Sequence, residues 1–118
     1  NRIIETTGSH LNAEGIDYYV RLLQRSEHVA GALRLMANWD LRPLLRDLPA
    51  LSAPVTFIVG ETDQATPARG TERAAERIAD AHIIRLAGQG HLAHEEDPET
   101  TAKHIRSLLP PADFQRSA

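Results

Sequence analysis

The chain has 118 residues, of which 42% are hydrophobic and 25% charged, and its formal net charge is −3. This is the composition of one ordinary globular unit, with no basic surface for nucleic acid and no polybasic patch for a membrane. Cysteine is absent, which excludes disulfides, thiolate nucleophiles and cysteine metal sites. No apolar run is long enough for a membrane span and no signal peptide is visible, so the cytoplasm is the expected location.

The first half of the chain carries helical patterns after a mixed N-terminal segment. Residues 12–25 predict a helix with Asn12 as its cap, and a second helix is expected after Ser26, which we take as its cap. Asp40 is the expected cap of a third, shorter helix. The predicted apolar faces of the three helices consist of Ile16, Tyr19, Val20, Leu23, Val29, Leu33, Met36, Ala37, Leu41, Leu44, Leu45 and Leu48.

The second half predicts the order strand, helix, strand, helix. The β-rich run 55–59, ended by Gly60, is typical of a strand buried on both faces of a parallel sheet. An amphipathic helix is expected over 68–80 and a second strand over 82–86. Asp97 is the expected cap of the last helix, because proline and glutamate follow it. The order implies a parallel pair of strands. The predicted inward-facing residues are Ala74, Ala75, Ile78, Ala79, Ala102, Ile105, Leu108 and Leu109.

An acid and an imidazole follow the two predicted strands. Asp63 lies just beyond the first strand and His91 just beyond the second. Functional groups gather at the carboxyl ends of parallel strands, which lie roughly 5 Å apart, so these two side chains can meet. An aspartate bonded to one ring nitrogen fixes the tautomer and leaves the other nitrogen to act as a base.

The motifs around these residues resemble those of a known family. The pattern G-x-x-D-x-x-x-P at 60–67, followed by G-x-G-H-x-x-H-x-E-x-P at 88–98, looks like the last third of the α/β-hydrolase fold. The resemblance implies a parallel sheet flanked by helices, with Asp63 as the acid and His91 as the base of a catalytic triad. Gly88 and Gly90 would permit the tight turn that presents His91. No cofactor is implied, and the expected partner is a small ester-like substrate.

A domain division also follows from this resemblance. Residues 1–50 correspond to part of a helical cap or lid and its connection to the sheet. Residues 51–111 correspond to the C-terminal βαβα portion of the hydrolase core. Residues 112–118 are expected to form a loose tail.

A narrower resemblance concerns the predicted cap. Tyr18-Tyr19 and the segment from His28 to Leu41 (HVAGALRLMANWDL) are similar to the hydrolase-type magnesium-chelatase accessory proteins of bacteriochlorophyll operons. The implied context is tetrapyrrole pigment synthesis in a phototrophic bacterium.

The nucleophile of a triad is not found in this sequence. The elbow motif G-x-S-x-G is absent, and Ser9, in Thr7-Gly8-Ser9-His10, lacks the second glycine and a preceding buried strand. The first residue is Asn1 rather than methionine. We therefore expect the nucleophile to lie in a missing N-terminal part of the same fold. Whether it is a serine, or an aspartate as in dehalogenases and epoxide hydrolases, stays open.

Structural roles compete with catalytic ones at several positions. Asp63 would also serve to cap the next helix or hold its own loop. His94 is expected to be structural, bonding the loop backbone, and Glu96 to order the same loop through backbone N–H groups. A metal site at His91, His94 and Glu95 is not expected, because H-E-x-x-H is absent. Core positions are the simplest interpretation of Tyr18, Tyr19, Met36 and Trp39, with a substrate pocket as the alternative.

Two functions remain in competition at this point. The first is esterase-like acyl hydrolysis, with this chain supplying the acid and histidine of a Ser-Asp-His triad. The alternative is a non-catalytic accessory or binding protein of tetrapyrrole synthesis that keeps the hydrolase fold. If the 118 residues were the whole product, two strands would form a sheet with exposed edges, and such a chain is expected to fold poorly and to be inactive alone.

Overall fold

A computed structural model describes residues 2–110 as helices arranged around one pair of strands. The secondary structure follows the predicted order, with two additional four-residue helices. The elements are α1 (Arg2–Glu5), α2 (Ala13–Leu23), α3 (Ser26–Ala37), α4 (Arg42–Asp47), a 3₁₀ turn (Leu48–Ala50), β1 (Val55–Gly60), α5 (Ala68–Ala75), β2 (Ala81–Leu86), α6 (Ala93–Glu96) and α7 (Pro98–Leu108).

The two strands pair in parallel, as predicted. The register runs from Val55 opposite Ala81 to Gly60 opposite Leu86, so both strands end at the same edge. Branched and aromatic residues favour this extended conformation. The prediction that β1 is buried on both faces is wrong for the described residues, because Val55–Val59 is only half-buried and Gly60 alone is buried.

Two of the predicted helix caps are confirmed. The Asn12 side chain accepts a hydrogen bond from the backbone N–H of Gly15 at 2.9 Å, at the start of α2. The Asp97 side chain accepts one from the N–H of Thr100, also at 2.9 Å, at the start of α7. Each carboxylate or amide oxygen thus satisfies an N–H that has no partner within the helix.

The predicted caps of the other two helices are shifted by one residue. Arg25, in an extended conformation, precedes α3 and makes no side-chain capping bond, so Ser26 is already the first helical residue. Leu41 is the residue that precedes α4, but the Asp40 side chain accepts from the N–H of Arg42 at 3.0 Å. Asp40 therefore accepts from an N–H in the first turn of α4, although it lies one residue before the cap position.

The helix predicted over 68–80 ends earlier, at Ala75. The N–H groups of Arg77 and Ile78 bond to carbonyls only three residues back, so the chain tightens into turns before it enters β2. Ile78 is nevertheless buried, as predicted. The short helices α1 and α6 were not predicted, because four residues are too few to show a helical period.

The buried core of residues 2–110 is small. It contains Ile4, Leu48, Ile78, Leu86 and Ala93. The predicted burial of the α7 apolar face is wrong for the described chain, since Ile105 and Leu108 are 47% and 48% exposed. The apolar face of α3 is exposed as well, with Leu33 and Met36 both 61% exposed. These faces have no further sheet layer among residues 2–110 to pack against. The exposed large apolar residues are Ile3, Tyr18, Val20, Leu22, Leu23, Leu33, Leu35, Met36, Trp39, Leu41, Leu44, Leu45, Leu51, Ile105, Leu108 and Leu109.

The predicted tail, 112–118, lies outside the described residues. The division of the chain into residues 1–50 and 51–111 stays a prediction. None of the helices within residues 2–110 combines the length and apolarity needed to cross a membrane.

Candidate active site

The two loops that leave the sheet at its carboxyl edge lie against each other. Beyond β1, the N–H of Glu61 donates to the carbonyl of Leu86 at 3.0 Å, and the N–H of Thr62 donates to that of Gln89 at 2.9 Å. These bonds continue the parallel pairing past Gly60. The side chains that follow on each loop are therefore held side by side.

Asp63 and His91, the two predicted site residues, are brought together. The Oδ2 atom of Asp63 lies 3.0 Å from Nδ1 of His91. An ionised carboxylate only accepts hydrogen bonds, so the shared proton belongs to Nδ1 and Nε2 is the unprotonated nitrogen of the neutral ring. The Asp63 side chain is 9% exposed and that of His91 38% exposed, so the acid is shielded while the imidazole remains accessible.

Asp63 also holds its own loop, which was the structural alternative for this residue. Its Oδ1 atom accepts from the N–H groups of Ala65 and Thr66, both at 2.8 Å. One carboxylate oxygen thus orders the loop and the other faces the histidine. The two interpretations of Asp63 are compatible, because each uses a different oxygen.

The hydrogen bonds around Asp63 decide its ionisation. Burial favours the neutral carboxyl and raises the pKa of Asp63. Hydrogen bonds to the carboxylate come from the backbone N–H of Thr66, from the His91 ring and from the Thr66 hydroxyl, and His91 adds Coulombic attraction. Together these interactions outweigh burial, so the pKa of Asp63 lies below its ordinary value. The carboxylate is therefore ionised at neutral pH.

Thr66 is a third member of the cluster that the sequence analysis missed. Its hydroxyl donates to Oδ2 of Asp63 at 2.7 Å and lies 3.2 Å from Nδ1 of His91. Because its own proton is given to Asp63, the Thr66 oxygen can act towards His91 only as an acceptor, and the single Nδ1–H is then shared between Thr66 and Asp63. The available sequence clue was the spacing, a threonine three residues after an aspartate in a strand-end loop.

The two glycines beside His91 act differently from one another. Gly88 has a φ of +70°, a left-handed conformation that a turn requires. Gly90 is needed for space: a Cβ atom there would lie 2.3 Å from the carbonyl carbon and oxygen of Gly8. The N-terminal segment therefore passes directly against the histidine loop, which the turn interpretation of Gly90 did not foresee.

Ser9 belongs to that segment and is fully buried. Its side-chain oxygen accepts a hydrogen bond from the N–H of Leu92 at 2.8 Å, and its exposed fraction is 0%. A hydroxyl sequestered in this way cannot approach a substrate. The missing elbow motif and this burial both speak against Ser9 as the nucleophile.

Glu96 orders the histidine loop through backbone N–H groups, as predicted. Its two carboxylate oxygens accept from Gly90 at 2.8 Å and from His10 at 3.2 Å. His94 departs from its predicted role, because its side chain is 64% exposed and its imidazole faces Glu95, with Nε2 and Oε1 3.6 Å apart, rather than the loop backbone. The backbone N–H groups of Gly90, His91 and Leu92 already have other acceptors, so this part of the loop offers the His94 ring no free donor.

Tyr19 links α2 to the histidine loop. Its hydroxyl donates to Oε1 of Glu95 at 2.6 Å, and burial, the hydrogen bond and the carboxylate charge raise the pKa of Tyr19 to about 12. Tyr18, Met36 and Trp39 are exposed, so the predicted core positions are wrong for these three within the described chain. Their helices present them outward from the small core.

Comparison with known proteins assigns the chain to a family. The family model described as the alpha/beta hydrolase family matches residues 8–104. The chain belongs to the alpha/beta hydrolase family. The observed parallel strands and flanking helices are those of part of this hydrolase fold, and the resemblance drawn from the two strand-end motifs is confirmed.

Two groups of curated proteins are similar to this chain. A magnesium-chelatase 30 kDa subunit of Rhodobacter capsulatus is 44% identical over 94 residues, which cover 80% of this chain and 33% of that protein. A pimeloyl-[acyl-carrier protein] methyl ester esterase of Xanthomonas oryzae pv. oryzae is 34% identical over 115 residues, covering 91% of this chain and 44% of the esterase. The same esterase of Xanthomonas axonopodis pv. citri is 30% identical over an equal length.

The chain spans between about a third and about two fifths of the length of the curated relatives it matches. The resemblance to magnesium-chelatase accessory proteins, based on Tyr18-Tyr19 and the segment from His28 to Leu41, agrees with the first of these relatives. These three relatives come from bacteria.

Proposed function

We propose that Asp63 and His91 are the acid and the base of a Ser-Asp-His triad that hydrolyses an ester-like acyl bond. The observation that carries the proposal is the 3.0 Å contact between Oδ2 of Asp63 and Nδ1 of His91 at adjacent strand ends. The nucleophile is assigned to a part of the hydrolase that these 118 residues do not include. Residues 1–50 would then belong to the cap and residues 51–111 to the core.

The proposed roles follow from the protonation of the pair. His91, unprotonated at Nε2, would take the proton of the attacking serine and later pass it to the leaving alcohol. Asp63, ionised because its pKa is lowered, would hold the ring orientation and stabilise the imidazolium that forms. Thr66 would keep the carboxylate oxygen aimed at Nδ1. No cofactor is required for these steps.

The substrate class is proposed from the surroundings of Thr66 and from the esterase relatives. An apolar cavity of about 540 Å³ reaches Thr66 on one side, which would suit the hydrocarbon part of an acyl ester. Pimeloyl-[acyl-carrier protein] methyl ester esterases are named for an acyl ester. The residues that line the cavity are Leu41, Leu44, Leu45, Leu48, Phe57, Thr66, Pro67, Arg69, Gly70, Thr71, Arg73 and Ala74.

A second candidate function is favoured by one observation, the 44% identity to a magnesium-chelatase 30 kDa subunit. Under this alternative, the chain belongs to an accessory protein of tetrapyrrole synthesis, in which the hydrolase fold binds without turnover. The contact between Asp63 and His91 would then be retained from hydrolase ancestors without a catalytic role.

Labelling with a fluorophosphonate, which reacts with activated serines, separates the two candidates. We expect the full-length protein to become labelled and to hydrolyse p-nitrophenyl esters, and His91→Ala to abolish both. His94→Ala is the matched control, since His94 is exposed and faces Glu95 rather than Asp63, and it should behave as the wild type. A folded wild-type protein that neither labels nor hydrolyses any ester would support the accessory alternative.

A further inference from the structure

The segment Thr7–Ser9, here called the 7–9 clasp, joins the two loops that carry the proposed acid and base. The carbonyl oxygen of Thr7 accepts from the N–H of Gln64 at 3.0 Å and from that of His91 at 3.4 Å. The next carbonyl, of Gly8, accepts from the Thr62 hydroxyl at 3.3 Å. One short piece of chain therefore contacts both loops at once, more than 50 residues away from either in sequence.

The histidine loop is held at three consecutive backbone N–H groups, and the clasp supplies two of the acceptors. Gly90 donates to the Glu96 carboxylate, His91 to the Thr7 carbonyl and Leu92 to the Ser9 hydroxyl, at 2.8, 3.4 and 2.8 Å. The Ser9 bond is a short one, and its acceptor is a fully buried side chain. The backbone on either side of the proposed base is thus fixed.

The backbone of the clasp packs closely against both loops. A Cβ atom on Gly8 would lie 2.0 Å from the carbonyl oxygen of Thr62, and one on Gly90 would lie 2.5 Å from the backbone nitrogen of Ser9. Backbone therefore packs on backbone at this junction. Such close contact transmits a shift of the clasp to both loops.

We infer that Ser9 is a positioning residue for His91, acting through the N–H of Leu92 to hold the imidazole at bonding distance from Asp63. The inference rests on the proposed function of this pair. Ser9 itself touches neither Asp63 nor a substrate, because it is buried and its hydroxyl is engaged with Leu92. This positioning role explains why a hydroxyl that cannot be the nucleophile lies beside the proposed base.

Replacement of Ser9 by alanine removes the acceptor and leaves the Leu92 N–H without a partner. The loop would then relax, and the His91 ring would no longer be held to Asp63 in a single tautomer. A displacement of about 1 Å in a catalytic group costs on the order of 100-fold in rate. We expect Ser9→Ala to lower kcat about 10- to 100-fold with KM nearly unchanged, because substrate contacts are not altered.

The test uses the full-length protein and two readouts. The first is the kcat and KM of p-nitrophenyl ester hydrolysis. The second is the His91 tautomer, read from long-range ¹H–¹⁵N correlation spectra, which does not depend on turnover. Ser107→Ala is the matched control, since that exposed hydroxyl donates only to the His104 carbonyl of its own helix. Ser9→Cys, which keeps a weak acceptor, serves if Ser9→Ala does not fold.

We expect Ser9→Ala to lose the single Nδ1-protonated state of His91, Ser9→Cys to lose it in part, and Ser107→Ala to keep it. The loss of kcat should likewise be largest in Ser9→Ala, smaller in Ser9→Cys and absent in Ser107→Ala. Unchanged kcat and an unchanged His91 tautomer in a folded Ser9 variant would overturn the inference. If the wild type does not hydrolyse esters, the proposed function fails. The His91 tautomer would still test the inference in that case, because Ser9 can change this tautomer only if it positions the His91 loop.

Discussion

Thr66 donates its hydroxyl hydrogen to the same Asp63 oxygen, Oδ2, that faces His91, at a distance of 2.7 Å. The carboxylate therefore has one oxygen shared between a threonine and the proposed base, and the other engaged by backbone N–H groups. This arrangement restrains Asp63 in two directions. Under the proposed mechanism, Thr66 helps to orient the carboxylate of Asp63 and transfers no proton itself.

Replacement of Thr66 by valine is expected to reduce kcat/KM on the order of tenfold. A hydrogen bond to a charged group contributes about 1.5–3 kcal/mol, and its loss frees Asp63 Oδ2 to rotate away from His91. Thr66→Ser is the control, because it keeps the hydroxyl and should retain most of the activity. Steady-state ester hydrolysis by both variants checks the prediction. A Thr66→Val variant as active as Thr66→Ser would contradict it.

Gly90→Ala is expected to destabilise the protein by about 1–3 kcal/mol, the cost of forcing extra volume into a packed junction. The new Cβ would meet the carbonyl carbon and oxygen of Gly8 at 2.3 Å. Gly70→Ala is the matched control, since Gly70 lies in α5 with open space around its Cβ position. Alanine there should be neutral or stabilise the helix by up to about 1 kcal/mol. Urea denaturation of both variants measures the difference.

The low pKa of Asp63 predicts a pH-dependent contribution to stability. Since the folded pKa lies below the unfolded value of about 3.9, the ionised form stabilises the fold fully above that value. The contribution is lost as pH falls through the folded pKa. The difference in unfolding free energy between wild type and Asp63→Asn should therefore be largest near pH 6 and should shrink towards pH 2. A difference independent of pH would be inconsistent with this assignment.

The 118-residue chain produced alone is expected to show a broad, non-cooperative thermal transition. Sixteen large apolar side chains are exposed among residues 2–110, against five buried apolar residues. So small a core does not offset the conformational entropy of the chain. Circular dichroism and dye binding would measure this. A sharp melt of the monomeric chain would show that the described contacts suffice for folding.

The sequence predicted those parts of the site that depend on local pattern. Asp63 and His91 follow two β-rich runs, and parallel strands bring such positions to a common edge. Asn12 and Asp97 cap helices through bonds that span three residues, so their chemistry was also visible in the sequence.

Contacts between distant segments were not predictable in the same way. Ser9 and Leu92 are 83 residues apart, and no spacing rule relates them. The sequence predicts Gly90 only as a turn residue, because the approach of Gly8 is a tertiary contact. The apolar stripes of α3 and α7 predicted helices correctly but not burial, since burial depends on what packs against them.

The central claim, that Asp63 and His91 act as one acid–base unit, is tested most directly by ester hydrolysis of the full-length Asp63→Asn and His91→Ala proteins and of the double variant. We expect each single change to lower kcat by about 1,000-fold or more, and the double variant to be no slower than the worse single one, because residues of one unit are not additive. Near wild-type rates in either folded single variant, or losses that multiply in the double variant, would contradict the claim.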